Sequence, residues 1–189
     1  MLSGDRLRLG ALKARRNEYT HRFGYAIPTD EALTTLSQHA PLLEIGAGSG
    51  YWAWMLRKMG SDVVAYDQCP PSIDSETNRF HVRVRCWTDV VHGDHDAIAR
   101  HPERTLFLCW PPPNDPMAFE ALSRYQGDTF LYIGEAPLAN NLNVTGDARF
   151  VRLLEEEWRI ERTIALPNWE LCWDQLYVFR RTSQAATGA

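Results

Sequence analysis

The chain has 189 residues, 44% of them hydrophobic, with seven tryptophans and a formal net charge of −4. That length suffices for one domain with a full core, and the mild acidity argues against a phosphate backbone as the main partner. No apolar run approaches eighteen residues and no signal-type hydrophobic start is present, so the expectation is a cytoplasmic protein without a membrane span. Cys69, Cys86, Cys109 and Cys172 lack C-x-x-C pairing and read as reduced structural thiols. The sequon at Asn143-Val144-Thr145 carries no weight without a secretion signal.

In chain order, a helix is expected over about 5–18, then an aromatic turn, then a second helix capped by Thr29 or Asp30 and closed by Pro41. Residues 1–22 hold Arg6, Arg8, Lys13, Arg15, Arg16 and Arg22 against Asp5 and Glu18. They form either a solvated helix face or a lid that attracts an acidic substrate. Leu42–Ile45 is an apolar strand containing Glu44. It runs into Gly46, Gly48 and Gly50, and a helix opens at Tyr51. Alternate glycines let a ligand touch the main chain. Val63–Asp67 is a second strand ending on an acid that can accept from two ribose hydroxyls. Loop and acid together point to a nucleoside cofactor.

After Asp67 the pair Pro70-Pro71 predicts an irregular connection. Val82–Arg85 and Asp89–His92 compete as third strand, the latter preferred because Gly93-Asp94 follows. Thr105–Trp110 is a buried strand. Asp115 caps a helix with Pro116 at its first position and Ala118, Ala121, Leu122 and Tyr125 on one face. Thr129–Gly134 is another strand, and a helix over 147–158 turns Phe150, Val151, Leu154 and Trp158 inward. Arg159–Leu166 and Leu171–Arg180 are strands whose connection, Pro167-Asn168-Trp169-Glu170, is too short for a helical crossover, so they pair antiparallel. The division expected is a helical cap at 1–40, a sheet-forming core at 41–181 and a flexible tail at 182–189, within a single domain.

The glycine spacing is G-x-G-x-G rather than the dinucleotide G-x-G-x-x-G. With Glu44 ahead of it and Asp67 after the second strand, the sequence resembles the class I S-adenosylmethionine-dependent methyltransferases. The stretches EIGAGSGYWAWML, VVAYD, TLFLCWPPPNDPMAFEAL and FLYIGE also resemble a group of small bacterial methyltransferase-like proteins. The resemblance spans about residues 40–180. It implies a three-layer Rossmann-like α/β sheet, mostly parallel and ending in an antiparallel hairpin, with S-adenosyl-L-methionine as cofactor. It further implies that Glu44, Gly46, Ala47, Gly48 and Gly50 surround the amino-acid part, that Asp67 and Gln68 lie at the ribose, and that Asp94 reaches the adenine.

Methyl transfer from a sulfonium leaves a neutral group, so the protein mainly aligns, excludes water and takes up a proton. Cys109-Trp110-Pro111-Pro112-Pro113 stands where amino-group methyltransferases carry D/N-P-P-Y. Trp110 replaces the carboxamide or acid, which counts against an adenine-base acceptor. Trp110 then forms a wall beside cofactor and acceptor, or packs in the core. The prolines fix the carbonyl of Trp110 or Pro111 rigidly toward the cofactor, and Pro111 and Pro112 are expected at the substrate. Glu135 is either a base that contacts the acceptor or a solvated loop residue. Tyr25, Trp169 and Trp173 are pocket aromatics or plain packing. His92, His95, Asp94 and Asp96 raise metal ligation, but no further His or Cys completes four ligands and no metal is expected. The leading function is methylation of a small molecule, such as a specialised metabolite. The alternatives are methylation of nucleic acid or protein, and a non-catalytic cofactor-binding scaffold.

Overall fold

The computed structural model describes residues 13–135, 145–170 and 172–182. Seven strands form one sheet: β1 (Leu42–Ile45), β2 (Val63–Asp67), β3 (Val91–His92), β4 (Thr105–Cys109), β5 (Thr129–Gly134), β6 (Trp158–Ala165) and β7 (Gln175–Arg181). Their order is β3-β2-β1-β4-β5-β7-β6, with the first five parallel and β7 antiparallel to both neighbours. β1 lies centrally between β2 and β4, so the segments after β1, β2 and β4 emerge side by side at the carboxyl edge of the sheet. Reversal of chain order on either side of β1 opens a crevice there.

Helix α1 is described over 13–22. It is followed by α2 (Asp30–Ser37), α3 (Tyr51–Lys58), α4 (Met117–Arg124) and α5 (Ala148–Glu157), with a 3-10 helix at His95–Arg100. Thr29 caps α2, its hydroxyl accepting from the Ala32 N–H at 3.2 Å. The sheet has two apolar faces because its central strands alternate large buried residues. Leu43, Leu106, Phe130 and Tyr132 pack with α4 and α5, whereas Leu42, Phe107, Leu131 and Ile133 pack with α2 and α3. The result is the three-layer Rossmann-like α/β architecture that the alternating elements predict. No helix among the described residues is long and apolar enough to cross a membrane.

Several boundaries differ from the sequence expectation. The third strand is confined to two residues, Val91–His92, at the sheet edge. The segment 82–85 forms no strand; Arg83 takes a left-handed φ of 53° there. Trp158, expected inward on a helix, instead opens β6, where it is equally buried. β7 starts at Gln175 because the preceding residues turn: the Asp174 N–H donates to Asn168 Oδ1 at 2.5 Å. Pro116 precedes α4 and the Asp115 carboxylate accepts from the Met117 N–H. Residues 5–12 of the expected N-terminal helix, the sequon at Asn143 and the tail from 183 lie outside the described residues.

Candidate functional site

A cavity of about 1410 Å³ opens at the carboxyl ends of β1, β2, β4 and β5. One wall is largely main chain. Gly46 and Gly48 have φ of 74° and 54°, and both line the cavity with Ala47 between them. A Cβ on Gly46 would stand 2.7 Å from Met117 Cε, and one on Gly48 2.7 Å from His81 Nε2. The loop is drawn in by the Gly46 and Ala47 N–H groups, which both donate to the Tyr66 carbonyl at 2.9 Å. Asp67 closes the wall: its Oδ2 accepts from the Gly48 N–H at 2.7 Å and its Oδ1 from the Cys69 N–H at 2.8 Å. Each oxygen keeps a lone pair for a ligand hydroxyl. Gln68 and Asp94 continue the lining, with Asp94 Oδ1 capping the 3-10 helix through the Asp96 N–H.

Glu44 is the unusual member of this wall. It sits on the central strand, 1% exposed, and lines the cavity. Its Oε2 has no hydrogen-bond partner among the described residues. Burial raises its pKa to about 8, with Arg57 opposing and Asp67 adding to the shift. Without a partner the group keeps its proton near neutrality, and a cation brought into the cavity would favour its ionised form.

The opposite wall is made of side chains. Trp110 ends β4 with a left-handed φ of 53°, a costly conformation for a bulky residue. Its N–H donates to the Ile133 carbonyl and its indole Nε1–H to Asp174 Oδ1 at 2.8 Å. Tyr25 stacks on it at 5.0 Å, and the Arg16 guanidinium lies 5.6 Å and 5.8 Å from the two ring centroids. Asp174 is 1% exposed, and burial lifts its pKa to about 6, with Trp110 opposing and Glu135 adding. Glu135, at the end of β5, is likewise 1% exposed; its Oε1 accepts from the Trp173 N–H at 3.0 Å. Burial also pushes the Cys109 thiol far up.

Of the residues expected at the site, Tyr25, Glu44, Gly46, Ala47, Gly48, Asp67, Gln68, Asp94, Trp110, Pro112 and Glu135 all line this cavity. Three do not. Gly50 caps α3, its left-handed φ of 72° setting the helix entry, and a Cβ there would meet Val90. Pro111 is buried, and its carbonyl accepts from the Gly146 N–H instead of facing a ligand. Trp169 packs on Tyr19 at 5.5 Å. Asp94, His95 and Asp96 do gather their ligand atoms within 4.8 Å, and these are all that the cluster offers among the described residues.

Sequence reasoning missed His81, Asn78 and Asp174. His81 is held by its Nδ1–H, which donates to the His21 carbonyl at 2.8 Å, while the His21 ring donates back to the Val82 carbonyl. Burial lowers the His81 pKa, so its Nε2 faces the glycine loop as an acceptor. Trp87 Nε1–H donates to the Arg22 carbonyl and Ser49 Oγ–H to the Phe23 carbonyl. These bonds fasten the end of α1 to the glycine loop. No periodicity or spacing in the chain announces contacts between residues 26 to 65 positions apart.

No family model matches the chain, and no curated protein matches it. Solved structures do resemble it. A protein from Thermoplasma acidophilum (1320) aligns at a TM-score of 0.46 and 18% identity, covering 91% of this chain and 98% of that one. Burkholderia thailandensis 1,6-didemethyltoxoflavin-N1-methyltransferase aligns at 0.45 and 16%, covering 81% and 77%. TrmN from Thermus thermophilus aligns at 0.46 and 13%, covering 80% of this chain and 48% of that one. This chain therefore spans about half the length of TrmN. At these identities the likeness is one of chain path.

Proposed function

We propose that this protein is an S-adenosylmethionine-dependent methyltransferase whose acceptor is a small molecule. The observation that carries the reading is Glu44, a buried carboxylate with an unpartnered oxygen beside a bare main-chain loop and a ribose-type acid. That set fits the cofactor: Gly46–Gly48 offer close approach, Asp67 accepts from hydroxyls, and Glu44 neutralises positive charge. Asp94 and Gln68 extend the same wall for the remainder of the nucleoside.

When bound, the cofactor supplies an electrophilic methyl with a neutral leaving group. This chain's residues contribute binding, orientation and dryness. Trp110, Tyr25 and Phe80 provide apolar surface on the acceptor side, and Glu135 stands ready to accept a hydrogen bond or proton. The cavity exceeds the roughly 300–1,000 Å³ of an ordinary single-ligand pocket, which supports two ligands side by side. Lys13 and Arg16 of α1 line one side of it, which favours a small acceptor over a polymer.

Calorimetric titration with S-adenosylmethionine and S-adenosylhomocysteine tests the cofactor. Absence of binding at millimolar concentrations sinks the reading. Incubation with methyl-labelled cofactor and a fractionated cell extract tests the reaction, and label is expected in the small-molecule fraction. Label confined to nucleic acid or protein would favour a macromolecular acceptor. Binding without transfer to any fraction would favour a scaffold.

A further inference from the structure

Two further uncompensated acids lie remote in sequence from Glu44: Glu135, which lines the cavity, and Asp174, which holds the Trp110 indole. Glu135 Oε2 and Asp174 Oδ2 are both buried without a hydrogen-bond partner among the described residues. The other oxygen of each is committed, Glu135 Oε1 to the Trp173 N–H and Asp174 Oδ1 to the Trp110 indole. Leaving a buried carboxylate oxygen unmatched is costly, and two such groups near each other compound the cost. Arg16 tempers the Asp174 charge, yet its guanidinium lies over the Tyr25 and Trp110 rings and pairs with neither acid among the described residues. Glu135 lines the same cavity as Trp110, Tyr25 and Phe80.

From this geometry we infer that the acceptor site takes a planar aromatic ring bearing an alkylammonium arm, with the ammonium hydrogen-bonded to Glu135 Oε2 and the ring against the Trp110–Tyr25 wall. A cation supplies the donor that the Glu135 oxygen lacks. An aromatic carboxylate would bring a third negative charge toward two buried acids. Asp174 is a positioning residue here: it holds the Trp110 indole and adds to the negative potential at Glu135.

The inference rests on the methyltransferase reading for its place in a reaction, and the test separates the two. The full chain is titrated calorimetrically with tryptamine, tryptophol and indole-3-acetate, both alone and saturated with S-adenosylhomocysteine. These probes share one ring and differ in the charge of the tail. Tryptamine should bind at least about tenfold tighter than indole-3-acetate, with tryptophol between them. Glu135→Gln should weaken tryptamine about tenfold and leave tryptophol within about twofold; Asp174→Asn, which keeps an acceptor for Trp110, should weaken tryptamine by less. Melting curves verify that both variants fold. Equal binding of acid and amine, no binding of tryptamine, or amine binding indifferent to Glu135→Gln in the folded variant overturns the inference. Failure of S-adenosylhomocysteine to bind would remove the methyltransferase reading alone, because the amine preference is also measured without it.

Discussion

The two walls of the cavity are built from different materials. Around Gly46–Gly48 the ligand-facing surface is main chain held by local turns, and its acid, Asp67, ends the next strand. Around Trp110 the surface is side chain, assembled from α1, β4, β5 and the segment before β7. A main-chain wall depends on φ and on the absence of Cβ atoms, so it tolerates almost no substitution. A side-chain wall depends on charge and fit and can be retuned residue by residue. One wall is thus suited to an invariant ligand and the other to a particular one.

Substitutions should break the two walls differently. The largest effect is expected from Gly48→Val, which requires a left-handed valine and drives its side chain onto His81. Affinity for the cofactor should fall more than about a hundredfold, with about 3 kcal/mol of stability lost as well, measured by calorimetry and urea unfolding. Retained binding would mean that ligands do not touch this loop. Asp67→Ala should come next. It strips acceptors from the Gly48 and Cys69 N–H groups, lowering stability and cofactor affinity by roughly 1–3 kcal/mol each. Unchanged affinity would remove Asp67 from the site.

Glu44→Gln moves stability the other way. The folded-state pKa, about 8, exceeds the ordinary carboxylate value, so the folded protein holds a proton that the unfolded chain has released. Stability is therefore complete below the unfolded pKa and declines as pH rises toward 8. Burial sets the shift, with Arg57 on α3 opposing it and Asp67 on β2 adding to it. At pH 8.5 the variant should melt about 5 °C higher than the native chain, on the order of 2 kcal/mol, and at pH 4 the two should coincide. Cofactor affinity of the variant should nonetheless drop. Equal melting at both pH values would mean that Glu44 is compensated in the folded state.

The smallest effect is expected from Trp110→Phe. It removes the donor to Asp174 Oδ1 while keeping most of the ring, and should cost about 1–2 kcal/mol by urea unfolding. Combining it with Asp174→Ala should cost less than the sum of the two, because each alone already breaks the same bond. Strict additivity would show that the indole and the carboxylate act independently.

The main-chain wall was legible in the sequence because its signals are local. An apolar tetrapeptide, glycines at alternate positions and a second strand ending in an acid occupy 26 consecutive residues, from Leu42 to Asp67. Elements with strong periodicity, such as β4, β5 and the face of α4, were legible for the same reason. The errors cluster where tertiary contacts override local preference. Gly50 looked like part of the ligand loop, but its φ serves the start of α3. Pro111 looked like a presented carbonyl, but Gly146 takes that carbonyl from across the β4 edge. Asp174 drew no notice because nothing near it in sequence hints at Trp110, 64 residues earlier.

Sequence by itself determined the strand and helix succession, the antiparallel hairpin forced by a short connection, and the bare loop with its two acids. Hydrophobic period, glycine stereochemistry and chain reach act over a few residues and need no partner to be recognised. Only the tertiary structure decided that Glu44 keeps an unmatched oxygen, that hydrogen bonds from Ser49, His81 and Trp87 tie down the end of α1, and that Asp174 holds the Trp110 indole. Those properties are matters of burial and of partners, which exist only once distant segments have packed together and excluded water.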